Sequence, residues 1–414
     1  MHFEQFSLDP RIVAGIKTAG YTTPTPIQQQ AIPVVLQRRD ILGLAQTGTG
    51  KTAAFMLPIL QRLSLSPARH IRALIIVPTR ELAEQIHQTA ISLGRYTRVR
   101  SATVYGGVSK LPQLKSLRQG VDIVVACPGR LLDLLSDNTI DLSHVEMLVL
   151  DEADQMCDMG FLPDIRRILK RVPAQRQTLF FAATMPDEIR SLADSILHDP
   201  VTVQIGIIAP IETVSHALYP VPQLLKPALV TALLRQKAME RVLIFTRTKH
   251  RALNLARKLA HEGFRTSALQ GNMSQNQRQG ALDGFRSGKY EILVATDIAS
   301  RGIDVSDISH VINFDIPNTV DAYIHRIGRT GRAQATGKAF TLCVPEDEGM
   351  IRDIEKVLGT KIGRERLPGF DYGNHAPDSP SQHNRRIRPR PLFSNLERDR
   401  SRIHQGRAAE GKAI

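Results

Sequence analysis

Residues 45–52 read Ala45-Gln46-Thr47-Gly48-Thr49-Gly50-Lys51-Thr52, after an apolar run at 41–45 and before a stretch of helical periodicity. A strand, a glycine-rich turn and a helix in that order make a phosphate loop. The glycines let backbone N–H groups curl around phosphate oxygens, and the helix N-terminus adds positive potential. Lys51 would then reach the β- and γ-phosphates, and Thr52 would offer its hydroxyl to Mg2+. The general pattern begins with Gly, where Ala45 stands here. Taken alone, the loop implies an α/β fold that binds phosphate. It does not by itself imply hydrolysis.

Asp151-Glu152-Ala153-Asp154 stands directly after the apolar run Met147-Leu148-Val149-Leu150. The C-terminal end of a buried strand is where α/β sheets place ligand chemistry. Asp151 is the natural Mg2+ partner, partly through water, because Mg2+ keeps much of its hydration. Glu152 is the natural base or positioner for an attacking water. The plain alternative, a solvated acidic helix cap, is common for Asp after a strand. The phosphate loop upstream argues against it.

Outward from these two motifs, short apolar strands alternate with amphipathic helical stretches. Strands are expected at 41–45, 73–77, 122–126, 146–150 and 178–182, and again at 241–246, 291–296, 310–314 and 339–344. Helical patterns lie between them, for example at 81–93, 253–262 and 275–285. Nearly continuous apolar strands alternating with helices predict parallel sheets covered on both faces. The alternation occurs twice, with a break holding Gly206 and Pro210. This divides the 414 residues into a first domain at 1–205, a linker at 206–216, a second domain at 217–365 and a tail at 366–414.

Composition narrows the function classes. Three scattered cysteines, Cys127, Cys157 and Cys343, form no CxxC pair, which argues against a disulfide framework or structural zinc. No apolar run reaches the length of a membrane span, and residues 1–10 carry no secretory pattern. The cytoplasm is the expected location. A net charge of +14 calls for a polyanionic partner. The tail holds ten Lys/Arg against five Asp/Glu with few apolar residues, so it is expected to be a disordered basic segment.

With these residues in place, the sequence resembles the DEAD-box RNA helicases of superfamily 2 over about residues 3–365. Further motifs carry the resemblance: Gly20-Tyr21-Thr22-Thr23-Pro24-Thr25-Pro26-Ile27-Gln28 (the Q motif), Pro78-Thr79-Arg80-Glu81-Leu82, Gly106-Gly107 and Pro128-Gly129-Arg130. In the second half come Gln275 with Arg278, the run from Ala295 through Arg301-Gly302-Ile303-Asp304, and His325-Arg326-Ile327-Gly328-Arg329-Thr330-Gly331-Arg332. The compact chain with a short basic tail resembles the bacterial RhlE-like branch.

The resemblance implies two tandem RecA-like domains and assigns roles position by position. Gln46, Thr47, Gly48, Thr49, Gly50, Lys51 and Thr52 bind the ATP phosphates. Gln28 reads the adenine edge, Tyr21 stacks on the base, Phe3 supports that pocket and Asp304 contacts the ribose. Lys51, Asp151 and Glu152 act in hydrolysis with Arg329 and Arg332 as arginine fingers, since a fixed guanidinium stabilises charge developing in phosphoryl transfer. Thr52 and Asp151 hold Mg2+. Asp154, Thr184 and His325 couple hydrolysis to the RNA site. Thr79, Arg80, Gly107, Arg130, Thr246, Gln275, Arg278 and Thr296 line the RNA path, where such groups contact phosphate and sugar and carry little base information. Glu81 and Glu84 are read as acids favoured near a helix start.

Two positions depart from the family. Ser-Ala-Thr is usual where this chain has Ala182-Ala183-Thr184, which removes a hydroxyl that would help join the acidic segment to its neighbouring strand. Cys127 stands where Thr usually precedes Pro-Gly-Arg, which removes one RNA contact.

The resulting expectation is an ATP-dependent RNA helicase that hydrolyses ATP with Mg2+ and opens short duplexes locally, without long translocation. Its partners would be RNA strands and short duplexes, with ribosomal or RNA-decay proteins as further candidates. It would act as a monomer and away from membranes. Ala182 keeps open an ATP-gated RNA clamp with weak unwinding, and a DNA-directed ATPase on the same core is the third reading. In the tail, Arg385, Arg386, Arg388 and Arg390 cluster, followed by Arg398, Arg400 and Arg402. If about four to six of these cations engage single-stranded RNA, deleting residues 371–414 flattens the slope of log affinity against log salt by roughly 3–4. RNA titrations at several salt concentrations check this, and an unchanged slope would remove the tether.

Overall fold

The computed structural model describes residues 2–45, 48–65, 70–205, 214–236, 239–300, 308–330 and 337–373. Seven strands build a first sheet: β1 Ile41–Leu44, β2 Ala73–Ile76, β3 Ser101–Val104, β4 Ile123–Ala126, β5 Met147–Leu150, β6 Gln177–Ala182 and β7 Val201–Gln204. Seven more build a second: β8 Val214–Pro220, β9 Val242–Phe245, β10 Thr266–Leu269, β11 Ile292–Ala295, β12 His310–Asn313, β13 Gly337–Cys343 and β14 Gly363–Arg364. All pairings are parallel. The orders are β3-β4-β2-β5-β6-β1-β7 and β10-β11-β9-β12-β13-β8-β14. Counted within its own sheet, each strand holds the same place in both. The doubled alternation of the sequence is therefore one topology used twice.

Alternation of side chains across the strands explains why nearly every central position is apolar. In β5, Met147 and Val149 enter the core on one face, while Leu148 and Leu150 enter the core on the other. In β9, Val242 and Ile244 face one core, and Leu243 and Phe245 face another. Each fully buried side chain of this size contributes about 1.5–3 kcal/mol. Crossover helices begin at the C-terminal strand ends on strong caps. Thr79 Oγ1 accepts from Leu82 N at the head of the helix Arg80–Leu93. Ser274 and Gln277 form a capping box at the head of Gln275–Arg286.

The strands the sequence did not signal are mostly sheet edges. β3, β7, β10 and β14 are the outer strands of the two sheets, and an edge needs fewer apolar residues. The domain limits also shift. Val214, Ser215 and His216, read as linker, belong to β8, and 206–213 lie outside the described residues. Residues 366–372, read as tail, pack on the second domain. Leu367 is buried, its N–H donates to the Tyr372 hydroxyl, and the Arg366 guanidinium lies 5.0 Å from the centre of the Tyr372 ring. The compact body runs to Tyr372. The remaining tail, 374–414, lies outside the described residues.

Gly15 marks the closest approach of two helices. A Cβ there would stand 2.1 Å from the Leu93 carbonyl oxygen, a backbone atom. Alanine in a helix normally stabilises by roughly 0.5–1 kcal/mol over glycine. Here the overpacking, at about 1–3 kcal/mol, wins. Gly15→Ala is expected to destabilise the first domain, and a denaturant melt with an unchanged midpoint would contradict the close approach.

Candidate active site and RNA cleft

Lys51 opens the helix Lys51–Ser64 and is 5% exposed. Its Nζ donates to the Ala45 carbonyl at 2.9 Å and lies 3.7 Å from Asp151 Oδ1. Gly48 and Gly50 hold φ of +88° and +95°. A Cβ at Gly50 would also stand 2.6 Å from Gln28 Nε2, so both backbone angle and space demand glycine. Thr49 and Thr52 flank this turn at the helix start. Gln46 and Thr47 lie outside the described residues.

Asp151 follows β5 and is 2% exposed. Burial pushes its carboxyl up to about 6, against the pull of the Lys51 ammonium. Glu152, equally buried, has φ +55° and ψ 47°. A non-glycine residue in the left-handed region costs of order 1–3 kcal/mol and gathers at functional sites. Asp151 and Thr52 are a sparse donor set, and no group of three or more His, Cys, Asp or Glu side chains that could hold a metal occurs among the described residues. Such a set fits Mg2+, which uses one or two carboxylates and fills its sphere with water and phosphate oxygens.

The base-side residues gather as the sequence implies, with one difference. Tyr21 meets the ring of Phe3 edge-on, with centroids 6.2 Å apart, and Phe3 packs on Phe6. Gln28, however, is 1% exposed. Its Oε1 accepts from Thr25 N at 3.0 Å, and its Nε2 donates to the Gly50 carbonyl at 3.1 Å. In this geometry the amide braces the phosphate loop, with one N–H and one oxygen lone pair engaged.

The acidic segment reaches both neighbours. Asp154 Oδ2 accepts from Ala183 N, Thr184 N and Thr184 Oγ1 at 3.0–3.2 Å. Three bonds therefore join the segment to the chain after β6, although Ala182 offers no hydroxyl. Asp154 Oδ1, buried, has no hydrogen-bond partner among the described residues. Across the domain boundary, His325 and Arg329 line a cavity of about 250 Å3 with Gln155 and Asp158. Burial holds the His325 pKa below its usual value, with Asp154 and Glu152 opposing. The second domain thus sets a buried arginine, Arg329, 6% exposed, beside the acidic helix. Arg332 and Asp304 lie outside the described residues.

A second cleft, about 640 Å3, lies where the domains meet and is lined by Thr79, Arg80, Arg130, Gln275 and Arg278 among others. Five of the eight residues assigned to RNA therefore converge. Gly107 lies beneath Arg80, where a Cβ would meet the guanidinium. Arg130 reaches the Val108 carbonyl with Nη2, while its buried Nη1 has no hydrogen-bond partner among the described residues. Cys127 lines the same wall as the cap of the helix Pro128–Ser136, its thiol pushed up to about 12 by burial. Thr296 follows β11 outside the lining. Thr246 is a correction: it is fully buried, and its hydroxyl donates to the Thr248 carbonyl, so it presents nothing to a ligand. Thr79 Oγ1 accepts the bond of its helix cap and keeps its hydroxyl proton to donate.

Glu81 was read as a helix-start acid, and its larger role escaped the sequence. It accepts from Arg278 Nε at 2.7 Å, an ion pair between the two domains with exposures of 7% and 12%. Beside it, Arg80 Nη1 donates to Gln275 Oε1 at 3.4 Å. Arg326 was passed over as well. It is 2% exposed, forks onto Asp297, donates to the Asp315 carbonyl and lies over the Phe245 ring. Its only sequence signal was its place between His325 and Arg329.

Comparison with known proteins agrees with this geometry. The DEAD/DEAH box helicase family matches residues 25–192, and the helicase conserved C-terminal domain matches residues 225–334. ATP-dependent RNA helicase CshA of Listeria monocytogenes is 42% identical over 370 residues, which cover 89% of this chain and 71% of that protein. DEAD-box ATP-dependent RNA helicase 40 of rice is 45% identical over 364 residues, covering 86% of this chain, although the chain spans only 46% of that longer protein. Among solved structures, Dbp5 of S. cerevisiae bound to RNA and ADP BeF3 superposes with a TM-score of 0.80 at 30% identity, covering 88% of this chain and 95% of that one. With the phosphate loop, the acidic segment and the cleft between two domains in one body, the chain belongs to the DEAD-box family of ATP-dependent RNA helicases.

Proposed function

We propose that this chain uses ATP to close its two domains on RNA, opening short duplexes locally or remodelling RNA–protein contacts without long translocation. The observation that carries the reading is the contiguity of two ligand sites across one boundary. His325 and Arg329 meet the acidic helix in one cavity, and Arg278 meets Glu81 in the next. A ligand that contacts both domains binds the closed form better and so shifts the equilibrium toward it.

In this scheme Lys51 and the loop amides hold the ATP phosphates, and Thr52 and Asp151 hold Mg2+, which supplies charge neutralisation when bound. Glu152 orients the attacking water and takes its proton. Arg329, and Arg332 by the family pattern, stabilise charge that develops at the γ-phosphate. Asp154 passes the state of the site to Thr184. Those bonds speak against the clamp with weak unwinding that Ala182 suggested. The RhlE-like placement, the cytoplasm, action as a monomer and ribosomal or RNA-decay partners extend the same reading. Among the described residues no helix is long and apolar enough to cross a membrane.

Glu152→Gln should retain ATP and RNA binding while kcat falls by about 100-fold or more, the usual scale of a positioned acid or base. RNA-stimulated ATPase and short-duplex release, measured on one preparation, test the whole reading. Turnover at the wild-type rate would remove Glu152 from its role, and stimulation by matched DNA equal to that by RNA would point to the DNA-directed alternative.

The ion pair between domains makes a separate prediction. Removing one member of a buried pair costs about 3–5 kcal/mol, and here the cost falls on closure rather than on either domain's fold. Arg278→Ala and Glu81→Gln should each lower RNA-stimulated kcat with melting temperatures nearly unchanged. In a double-mutant cycle their effects should be strongly non-additive. Additive losses would mean that the two side chains act independently.

A further inference from the structure

The outer edge of the first sheet carries a groove that the reactions above do not use. It begins at the RNA cleft, where Arg130 Nη2 bonds the Val108 carbonyl. A cavity of about 320 Å3 continues along β3, walled by Tyr105, Val108 and Ser101. A second, about 620 Å3, shares Ser101 with it and reaches Arg100. A third, about 600 Å3, shares Arg100 and is lined by Arg11, Arg98, Arg100 and Arg118. The three adjoin, so the track runs from the C-terminal end of β3 past its N-terminal end. The strand alone accounts for about 13 Å of it.

The far end is strongly basic. Arg98 and Arg118 are exposed, and neither side chain has a hydrogen bond or ion pair among the described residues. Arg100 donates to the Gln119 carbonyl. Arg11 is paired with Asp9. The nearby acids are already engaged. Asp122, buried, accepts from Arg100 N, and Glu84, midway, accepts from Thr103 and Tyr105. Hydroxyls, carbonyls and guanidinium groups suit phosphate and sugar. The basic end lacks the aromatic anchor that centres most protein interfaces, which disfavours an acidic protein as the occupant.

Resting on the reading that RNA lies in the inter-domain cleft, we infer that single-stranded RNA leaving that cleft follows the β3 edge and ends on the arginines of the distal cavity. The core would then hold flanking RNA through the first domain itself, independently of residues 374–414.

The test uses the full chain, the surface double variant R98A/R118A and two single-stranded RNAs. One RNA only fills the inter-domain cleft, and the other extends well past it at both ends. Wild type should bind the long RNA more tightly than the short one. The variant should lose part of that gain, with the slope of log affinity against log salt reduced by about 1.4 for two phosphate contacts. Between about 50 and 200 mM salt, that difference makes the wild-type loss of affinity about sevenfold larger than the variant's. Short-RNA affinity and ATPase at saturating short RNA should be equal in the two proteins. An unchanged slope on long RNA overturns the proposal and leaves an acidic protein as the alternative occupant. An equal loss on both RNAs also overturns it. Failure of short RNA to bind or stimulate wild type would instead overturn the inter-domain reading itself.

Discussion

A lysine ammonium buried at the head of a helix must find acceptors, and this requirement organises the first domain. Lys51 has the Ala45 carbonyl and a more distant Asp151 carboxylate, on a loop whose Gly48 and Gly50 take positive φ. The second domain poses the same problem at the matching place. Lys226 opens the helix that follows β8, as Lys51 opens the helix after β1, and is 2% exposed. Its Nζ donates to the carbonyls of Phe314 and Leu342, and burial holds its pKa below the usual lysine value. There the cation is satisfied by protein carbonyls, with no glycine-rich turn around it. Two domains of one topology thus divide the work. On the function proposed above, one would keep a cation for phosphate, and the other would lend side chains to its neighbour's ligand.

That division makes closure the consequential step. Among the described residues the contacts across the boundary include polar and charged ones: Arg278 with Glu81, Arg80 with Gln275, and His325 and Arg329 beside the acidic helix. A large apolar interface would hold the domains shut at all times. A small polar one leaves the balance to ligands, because a few kcal/mol of differential binding then decides the population. The left-handed backbone at Glu152 belongs to the same economy of motion. Its surroundings hold that residue in place before any water arrives.

Much of this was legible in the sequence because the decisive groups sit in runs. The phosphate loop, Asp151 to Asp154 and the segment from His325 to Arg329 each lie on one strand end or helix, so local pattern finds them. The central strands were legible for a related reason: β2, β4, β5, β9 and β11 are buried on both faces and therefore apolar throughout. Pairings between distant elements were not legible. Nothing local says that Glu81 meets Arg278, 197 positions away, or that the Gln28 amide turns onto Gly50. Thr246 misled for the opposite reason. It stands at a strand end, where ligand contacts gather, but its hydroxyl is taken up by the chain two residues on. The polar edge strands β3 and β10 escaped because half-covered strands do not need apolar residues.

The chemistry of the cleft also limits what the core can select. Its wall presents Thr79, Arg80, Arg130, Gln275 and Arg278, with Phe161 as the one aromatic side chain lining it. Base-specific recognition of single strands depends on splayed bases stacked on aromatic rings and read at their edges. The whole chain has no tryptophan and only 5% aromatic residues. The polar groups of this wall, guanidinium groups, an amide and a hydroxyl beside the apolar Pro78, Met159, Phe161 and Met273, suit sugar and phosphate better than base edges. On the function proposed above, selection among RNAs would then be exercised from surfaces beyond the cleft.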